Sequence, residues 1–259
     1  MAAEYRMAKL EDVPALRELW KEAFGDSDAF LDQFFGTAFS TRRCHVMAEG
    51  EDIQSVVYLL DCSCGGQQMA YVYAVATKAA CRGQGLCNTL MDRVHRELEA
   101  QGFAATILVP GTRELVRFYA KMGYVPCAPR GKIRATASGP ATILKAVSPR
   151  RYGELRRDLL PPGAVLQEGV SLDFLATQAR LYAGKDLLLA ATVLPDGTLL
   201  GQELLCRDPI AMAPKILKAL RVQEGIFRIP WPNGRPFALF RPLEKWEGEK
   251  PGYLGFAFD

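Results

Sequence analysis

Histidine is nearly absent: 259 residues carry two, His45 and His95. Neither has a Ser or Cys nucleophile motif nearby, so a hydrolytic triad finds no support. Long apolar runs are also missing; none reaches the length of a membrane-spanning helix. The charge has no dominant sign. Against 32 Lys and Arg stand 29 Asp and Glu, a net +3, and this balance predicts no nucleic-acid and no membrane partner. The opening stretch, "MAAEYRMAKLEDVP", lacks the apolar centre of a signal peptide. The seven cysteines, Cys44, Cys62, Cys64, Cys81, Cys87, Cys127 and Cys206, are odd in number and form no disulfide framework, which points to a reducing cytoplasm. Cys62-Ser63-Cys64 has neither zinc-ligand spacing nor further partners, so no metal site is expected. On a strand those two thiols share a face and pack.

What is present is a globular composition, 49% apolar and 24% charged, long enough for one large domain or two small ones. The first half alternates element types. A short strand at "YRMA" precedes a helix over 11–24, with Pro14 in its first turn. An aromatic-rich helix follows, capped by Asp26 or Ser27. Strands over 44–50, 53–64 and 67–77 come next. Leu86, Leu90, Val94 and Leu98 then recur every four residues in a helix that Gly102 ends. "FAATILVP" reads as a buried strand and "TRELVRFYAKMG" as a helix capped by Thr112. "KIRATA" and "ATILKAV" read as a hairpin across Ser138-Gly139-Pro140. "VSPRR" marks a boundary, giving domains 1–147 and 148–259. Downstream come helices over 149–160 and 172–182, a hairpin turning at Pro195-Asp196-Gly197, and a helix that Pro214 should kink or delay. Strands "GIFRIPW", "PFALFRPL" and "YLGFAF" close the chain. This order echoes that of the first half.

The stretch "ACRGQGLCNTLM" carries the chemistry. A strand ends near Thr77 and a helix begins near Gly85. The first N–H groups of that helix have no intrahelical partner and suit an anion. Gly83 and Gly85 allow close backbone approach, and Arg82 adds positive charge. A plain strand-to-helix turn explains the same glycines.

Context favours the anion site. The stretch Tyr71 to Tyr124 resembles the GNAT superfamily of acetyl-CoA-dependent N-acetyltransferases. The family's phosphate motif is Arg or Gln, two residues, Gly, one residue, then Gly or Ala. Arg82 and Gly85 match it, and Cys87 departs. Tyr119, Gly123 and Tyr124 of "FYAKMGY" match its second motif, Tyr-x-x-x-Gly-Phe/Tyr. The resemblance implies an α/β (α+β) fold for 1–147: a mixed, mostly antiparallel sheet flanked by helices and splayed between its fourth and fifth strands. It implies acetyl-CoA as cosubstrate and direct transfer to a small-molecule or peptide amine. Val75, Ala76 and Thr77 match the segment that pairs with the pantetheine arm. Arg82, Gly83, Gln84, Gly85, Leu86 and Cys87 match the pyrophosphate loop. Thr112 stands where an asparagine near the cofactor arm is common. Tyr119 matches the general acid that protonates the departing thiolate.

The general base stays open. Some members of the family carry a glutamate on the fourth strand, at the position of Tyr71 here. A water chain or the carboxylates of Asp259 are the alternatives. The second half resembles the degenerate GNAT-like domain that follows the catalytic one in enhanced-intracellular-survival-type acetyltransferases, with a sterol-carrier-like lid as the other reading. It has no Arg-x-x-Gly-x-Gly loop, since Pro209 sits in its nearest strand-to-helix junction. Three surface readings complete the sequence. Arg150, Arg151, Arg156 and Arg157 form a solvated basic face. Asp28 and Asp32 form a solvated acidic face or attract a cationic acceptor. The aromatics Trp20, Phe24, Phe30, Phe34, Phe35 and Phe39 are mostly core, while the resemblance implies that some of them shape an amine-binding pocket.

Overall fold

The computed structural model describes residues 3–258. In chain order the elements are β1 (Glu4–Met7), α1 (Val13–Phe24), α2 (Asp28–Thr37), β2 (Cys44–Glu49), β3 (Asp52–Cys64), β4 (Gln67–Thr77), α3 (Leu86–Ala100), β5 (Ala105–Leu108), α4 (Arg113–Ala120), β6 (Val125–Thr136), β7 (Lys145–Ala146), α5 (Pro149–Leu159), β8 (Leu166–Gln167), α6 (Val170–Gln178), β9 (Arg180–Gly184), β10 (Leu187–Val193), β11 (Leu199–Cys206), α7 (Pro209–Leu220), β12 (Glu224–Pro230) and β13 (Arg235–Pro242). They divide into two compact units, Met1–Val125 with Leu239–Gly248, and Pro126–Ala238 with Glu249–Asp259.

In the first unit the strands pair in the order β1-β2-β3-β4-β5-β13, antiparallel except for parallel β4 and β5. The four-residue repeat of α3 does what its spacing predicts. Leu90, Val94 and Leu98 are fully buried against Val57 and Leu59 of β3 and Ala70 and Val72 of β4. Ser27, one of the two candidate caps, accepts the Phe30 N–H at 3.3 Å and starts α2. Trp20 packs its ring 4.7 Å from Phe34 and 5.0 Å from Tyr58, so the centre of the aromatic group is core. Asp28 and Asp32 are held by cations of α1. Arg17 reaches both, at 3.1 and 2.9 Å, and Lys21 reaches Asp28 at 2.8 Å.

Two irregularities of β4 matter later. Val56 faces Ala76 while Tyr58 faces Tyr73, so Ala74 and Val75 together oppose Val57. This is a β-bulge, and Ala74 takes its backbone to φ 47°. Pairing with β5 stops earlier, at Tyr71 opposite Ile107. The sheet therefore opens between its fourth and fifth strands, as the resemblance implies.

The second unit repeats this topology. Its strands pair in the order β7-β9-β10-β11-β12-β6, antiparallel except for parallel β11 and β12. The core packs Ala213, Ile216 and Leu217 of α7 against Leu187 and Leu189 of β10 and Phe227 and Ile229 of β12. In each unit the sixth strand comes from the other half of the sequence. Leu239–Pro242 pairs with β5, and β6 pairs with β12.

That exchange moves the divide expected at 147/148 to 125/126 and returns 239–248 to the first unit. It also replaces the expected hairpin of "KIRATA" with "ATILKAV". Ile133 pairs with Phe227, while Lys145 pairs with Ala183. Two helical readings also change. The helix expected over 172–182 stops at Gln178, and Arg180–Gly184 is a strand. α7 runs through Pro214, starting at Pro209, where Asp208 caps it by accepting the Ala211 N–H at 3.0 Å.

"YLGFAF" forms no strand. A side chain bonds its backbone instead: Gln167 donates to the Phe256 carbonyl at 2.9 Å and accepts the Phe256 N–H at 3.0 Å. The tail is buried from Tyr253 to Phe258. Beneath it lies the one member of the expected basic face that is not at the surface. Arg156 is buried and binds Glu203 through two bonds of 2.8 and 2.9 Å. The Tyr152 and Tyr253 hydroxyls donate to the same carboxylate at 3.1 and 3.0 Å. Phe256 covers the guanidinium at 4.6 Å. Gly255 is required here, because a Cβ would collide with the Glu203 carboxylate and with Arg156.

Candidate active site

Where the sheet opens, β4, the loop after it, α3, α1 and α4 enclose a cavity of about 520 Å³. It brings together Val75, Ala76, Thr77, Arg82, Gly83, Gly85, Leu86, Cys87 and Tyr119 from widely separated places in the sequence. Gln84 and Thr112, expected with them, do not line it. Gln84 turns back to donate to the Ala80 carbonyl at 3.4 Å. Thr112 caps α4, accepting the Leu115 N–H at 3.3 Å.

The loop shows why glycine stands twice. Gly83 has φ 78° and Gly85 has φ 79°, a region that side chains with a Cβ adopt only at a cost. A Cβ at either position would meet no atom within 4 Å. Backbone conformation, not crowding by the protein, demands glycine, and open space lies beside both. Gly85 is the N-cap of α3 and provides no side-chain cap. The first N–H groups of a 15-residue helix thus lack the carboxylate or hydroxyl that often satisfies them. Arg82 is braced by its Nε, which donates to the Thr77 carbonyl at 3.0 Å. Glu22 of α1 holds the start of the loop by accepting the Ala79 N–H at 2.6 Å. This cradle fits a pyrophosphate.

Cys87 is half-buried and packs against the core cluster of the first unit. Burial pushes its thiol up to about 11, so the sulfur stays protonated and behaves as a small apolar group. Tyr119 is buried, yet it reaches the cavity. Burial raises its phenol above the ordinary value, with Cys87 and Tyr124 adding to the effect. Its proton is therefore retained across the physiological range.

Tyr71 is buried, and its ring stacks on Tyr73 at 6.0 Å. Asp259 lies outside the described residues. The sequence reading missed Ala23 at the end of α1, and Leu115 and Phe118 on α4, which line the cavity together with Phe24, one of the aromatics offered for an amine pocket. Phe118 precedes Tyr119 within the second motif, a signal that was available. Ala23 had none, because a small apolar residue at a helix end gives no sign of what it will face.

The sequence model of the acetyltransferase (GNAT) domain matches residues 4–127. Residues 4–127 are a GNAT acetyltransferase domain. Through this GNAT domain the protein is an acyltransferase. The fold of the whole chain is similar to that of a GCN5-related N-acetyltransferase from Anabaena variabilis, with 17% identity, a TM-score of 0.70, and 92% of this chain and 72% of that one covered. A GCN5-related N-acetyltransferase from Kribbella flavida is similar at 17% identity and TM-score 0.69, covering 94% and 72%. Eis1 from Mycobacterium abscessus is similar at 11% identity and TM-score 0.65, covering 93% and 73%. No curated protein matches. Among the described residues, no helix is long and apolar enough to cross a membrane.

Both histidines of the GNAT domain are buried, with consequences for stability. Desolvation lowers His45 to about 4, with Arg43 adding to the effect and Glu97 opposing it. Desolvation, then Arg241, lowers His95 to about 3. Below the ordinary value of 6.5 the unfolded chain binds protons that the folded one refuses, so stability falls as pH falls. Each histidine costs about 1.4 kcal/mol per pH unit in that window. Urea unfolding at pH 5 is expected to show about 4 kcal/mol less stability than at pH 7 from this pair. Stability should be flat from pH 7 to 8, and His45→Gln should roughly halve the acid slope.

Proposed function

We propose that the protein transfers the acetyl group of acetyl-CoA directly to an amine, with both substrates bound together. The observation that carries this reading is the single cavity in which the opened strand, the uncapped N-terminus of α3 and Tyr119 meet. In this reading the backbone of Val75, Ala76 and Thr77 binds the pantetheine arm as an added strand would. The N–H groups from Gly83 to Cys87 hold the pyrophosphate, with Arg82 beside them. Attack of the amine on the thioester carbonyl forms a tetrahedral oxyanion, which a strand N–H stabilises. Collapse expels the thiolate of CoA, the Tyr119 hydroxyl donates its proton to that sulfur, and the proton lost by the amine nitrogen passes to water in the cleft, from which the phenolate is reprotonated.

The second unit, in this reading, is a degenerate GNAT-like domain that does not bind acetyl-CoA. It repeats the strand order of the first. At the junction matching the phosphate loop, however, the Asp208 carboxylate caps α7, which places a negative charge where an anion would sit.

Acetyl-CoA is expected to raise the melting temperature, and Gly85→Val to abolish that rise, since valine resists the φ of 79°. Thiol release measured over a panel of amines should appear only when amine is added. A stoichiometric burst of thiol without amine would contradict direct transfer. A second reading, a non-catalytic sensor of CoA, is favoured by one observation: Tyr71 stands where some members of the family carry a glutamate. It predicts the same thermal shift with no turnover on any amine.

A further inference from the structure

A row of polar side chains crosses the interior of the GNAT domain behind Tyr119 and takes no part in the chemistry above. Arg241, on β13, donates through Nη1 to His95 Nδ1 on α3. His95 Nε2 lies 3.0 Å from the Tyr124 hydroxyl, and that hydroxyl lies 2.9 Å from Thr106 Oγ1 on β5. His95, Tyr124 and Thr106 are buried. The strands dictate this meeting, since Arg241 sits directly opposite Thr106 in the β13–β5 register.

Elementary donor and acceptor rules orient the whole row. A guanidinium only donates. His95 Nδ1 must therefore accept, which places the ring proton on Nε2. That N–H donates to the Tyr124 oxygen, and the proton of Tyr124 is then directed to Thr106. The depressed basicity of His95 agrees, because a neutral ring is needed to accept from Arg241. Tyr124 is thus tethered at its hydroxyl by two partners. Its backbone N–H donates to the Tyr119 carbonyl at 3.2 Å. Its ring meets that of Tyr119 edge-on at 5.6 Å and 66°. Tyr119 leans on a ring whose other end is anchored.

We propose that Arg241 is a positioning residue for acyl transfer: through His95 it fixes the hydroxyl of Tyr124, and the Tyr124 ring holds Tyr119 at the cavity. A residue close to the end of the chain thereby sets the geometry of a group supplied by its first half. The proposal rests on the reading of Tyr119 as the proton donor. Proton transfer is steeply sensitive to placement, and small misplacements cost turnover far more than they cost binding.

The test is steady-state thiol release by the full-length protein, with folding checked by near-UV circular dichroism. Arg241→Met and Tyr124→Phe should each lower kcat about tenfold with KM for acetyl-CoA held within about twofold. The double variant should be no worse than either single one, as for members of one row. His95→Gln keeps an acceptor and a donor and should retain most of kcat, whereas His95→Leu should match Arg241→Met. In a Tyr119→Phe background, Arg241→Met should have no further effect. Wild-type kcat in both Arg241→Met and Tyr124→Phe overturns the proposal, as does a loss that adds fully to that of Tyr119→Phe. If Tyr119→Phe alone keeps full turnover, the underlying reading of Tyr119 fails. If Tyr119→Phe loses turnover and Arg241→Met does not, only the positioning role fails.

Discussion

Glu203→Ala is expected to lose about 3–5 kcal/mol in urea unfolding. The magnitude follows from what the change leaves behind. Arg156 would keep its charge in a site where it is 1% exposed, with no carboxylate to balance it. The Tyr152 and Tyr253 hydroxyls would lose their acceptor together. Among the described residues Arg156 Nη1 already has no hydrogen-bond partner, so none of them offers a spare acceptor. The pair itself should contribute far less than its breaking costs, because two desolvated charges gain little net energy by meeting. The double substitution Arg156→Met with Glu203→Leu should therefore recover most of the loss. A double variant as unstable as Glu203→Ala would mean that the ion pair itself, and not the orphaned charge, sets the stability.

Tyr119→Phe is expected to lower turnover about 100-fold or more while the dissociation constant for acetyl-CoA stays within about twofold. Phenylalanine keeps the ring in its place beside Phe118 and Tyr124 and removes only the hydroxyl. Packing and cavity shape survive, and the proton donor does not. Calorimetric titration of acetyl-CoA and steady-state thiol release separate the two quantities. Turnover unchanged by the substitution rules out Tyr119 as the acid. A protein with intact acetyl-CoA binding and no turnover in the wild type is the sensor of the second reading.

The site shows which signals a sequence transmits well. Arg82, Gly83, Gly85 and Cys87 lie within one short stretch, and their use depends on backbone conformation, which local sequence controls. Gly83 and Gly85 are glycines because φ is positive there, and that requirement holds whatever surrounds them. Tyr119 was found through its four-residue offset from Gly123. Ala23 escaped notice because nothing in its own chemistry records that the last turn of α1 faces the cavity. His95 is buried beside a partner, Arg241, that lies 146 positions away, and no local signal announces the pairing. Arg156 was misread for the same reason. A charged residue next to Arg157 on a polar helix looks solvated until Glu203 arrives from another strand.

The sequence by itself determined the alternation of helices and strands, the buried stripe of α3, the glycine loop and the motif tyrosine. These are set by periodicity, capping and backbone preference, which act within a few residues. Only the tertiary structure decided that β6 and β13 change places between the units, so that the divide falls at 125/126. A strand carries no mark of its partner, and antiparallel edges compete for it across the whole chain. The same long-range choice brought Arg241 opposite Thr106 and Arg156 against Glu203, where burial, and not sequence neighbourhood, decides what a charge is for.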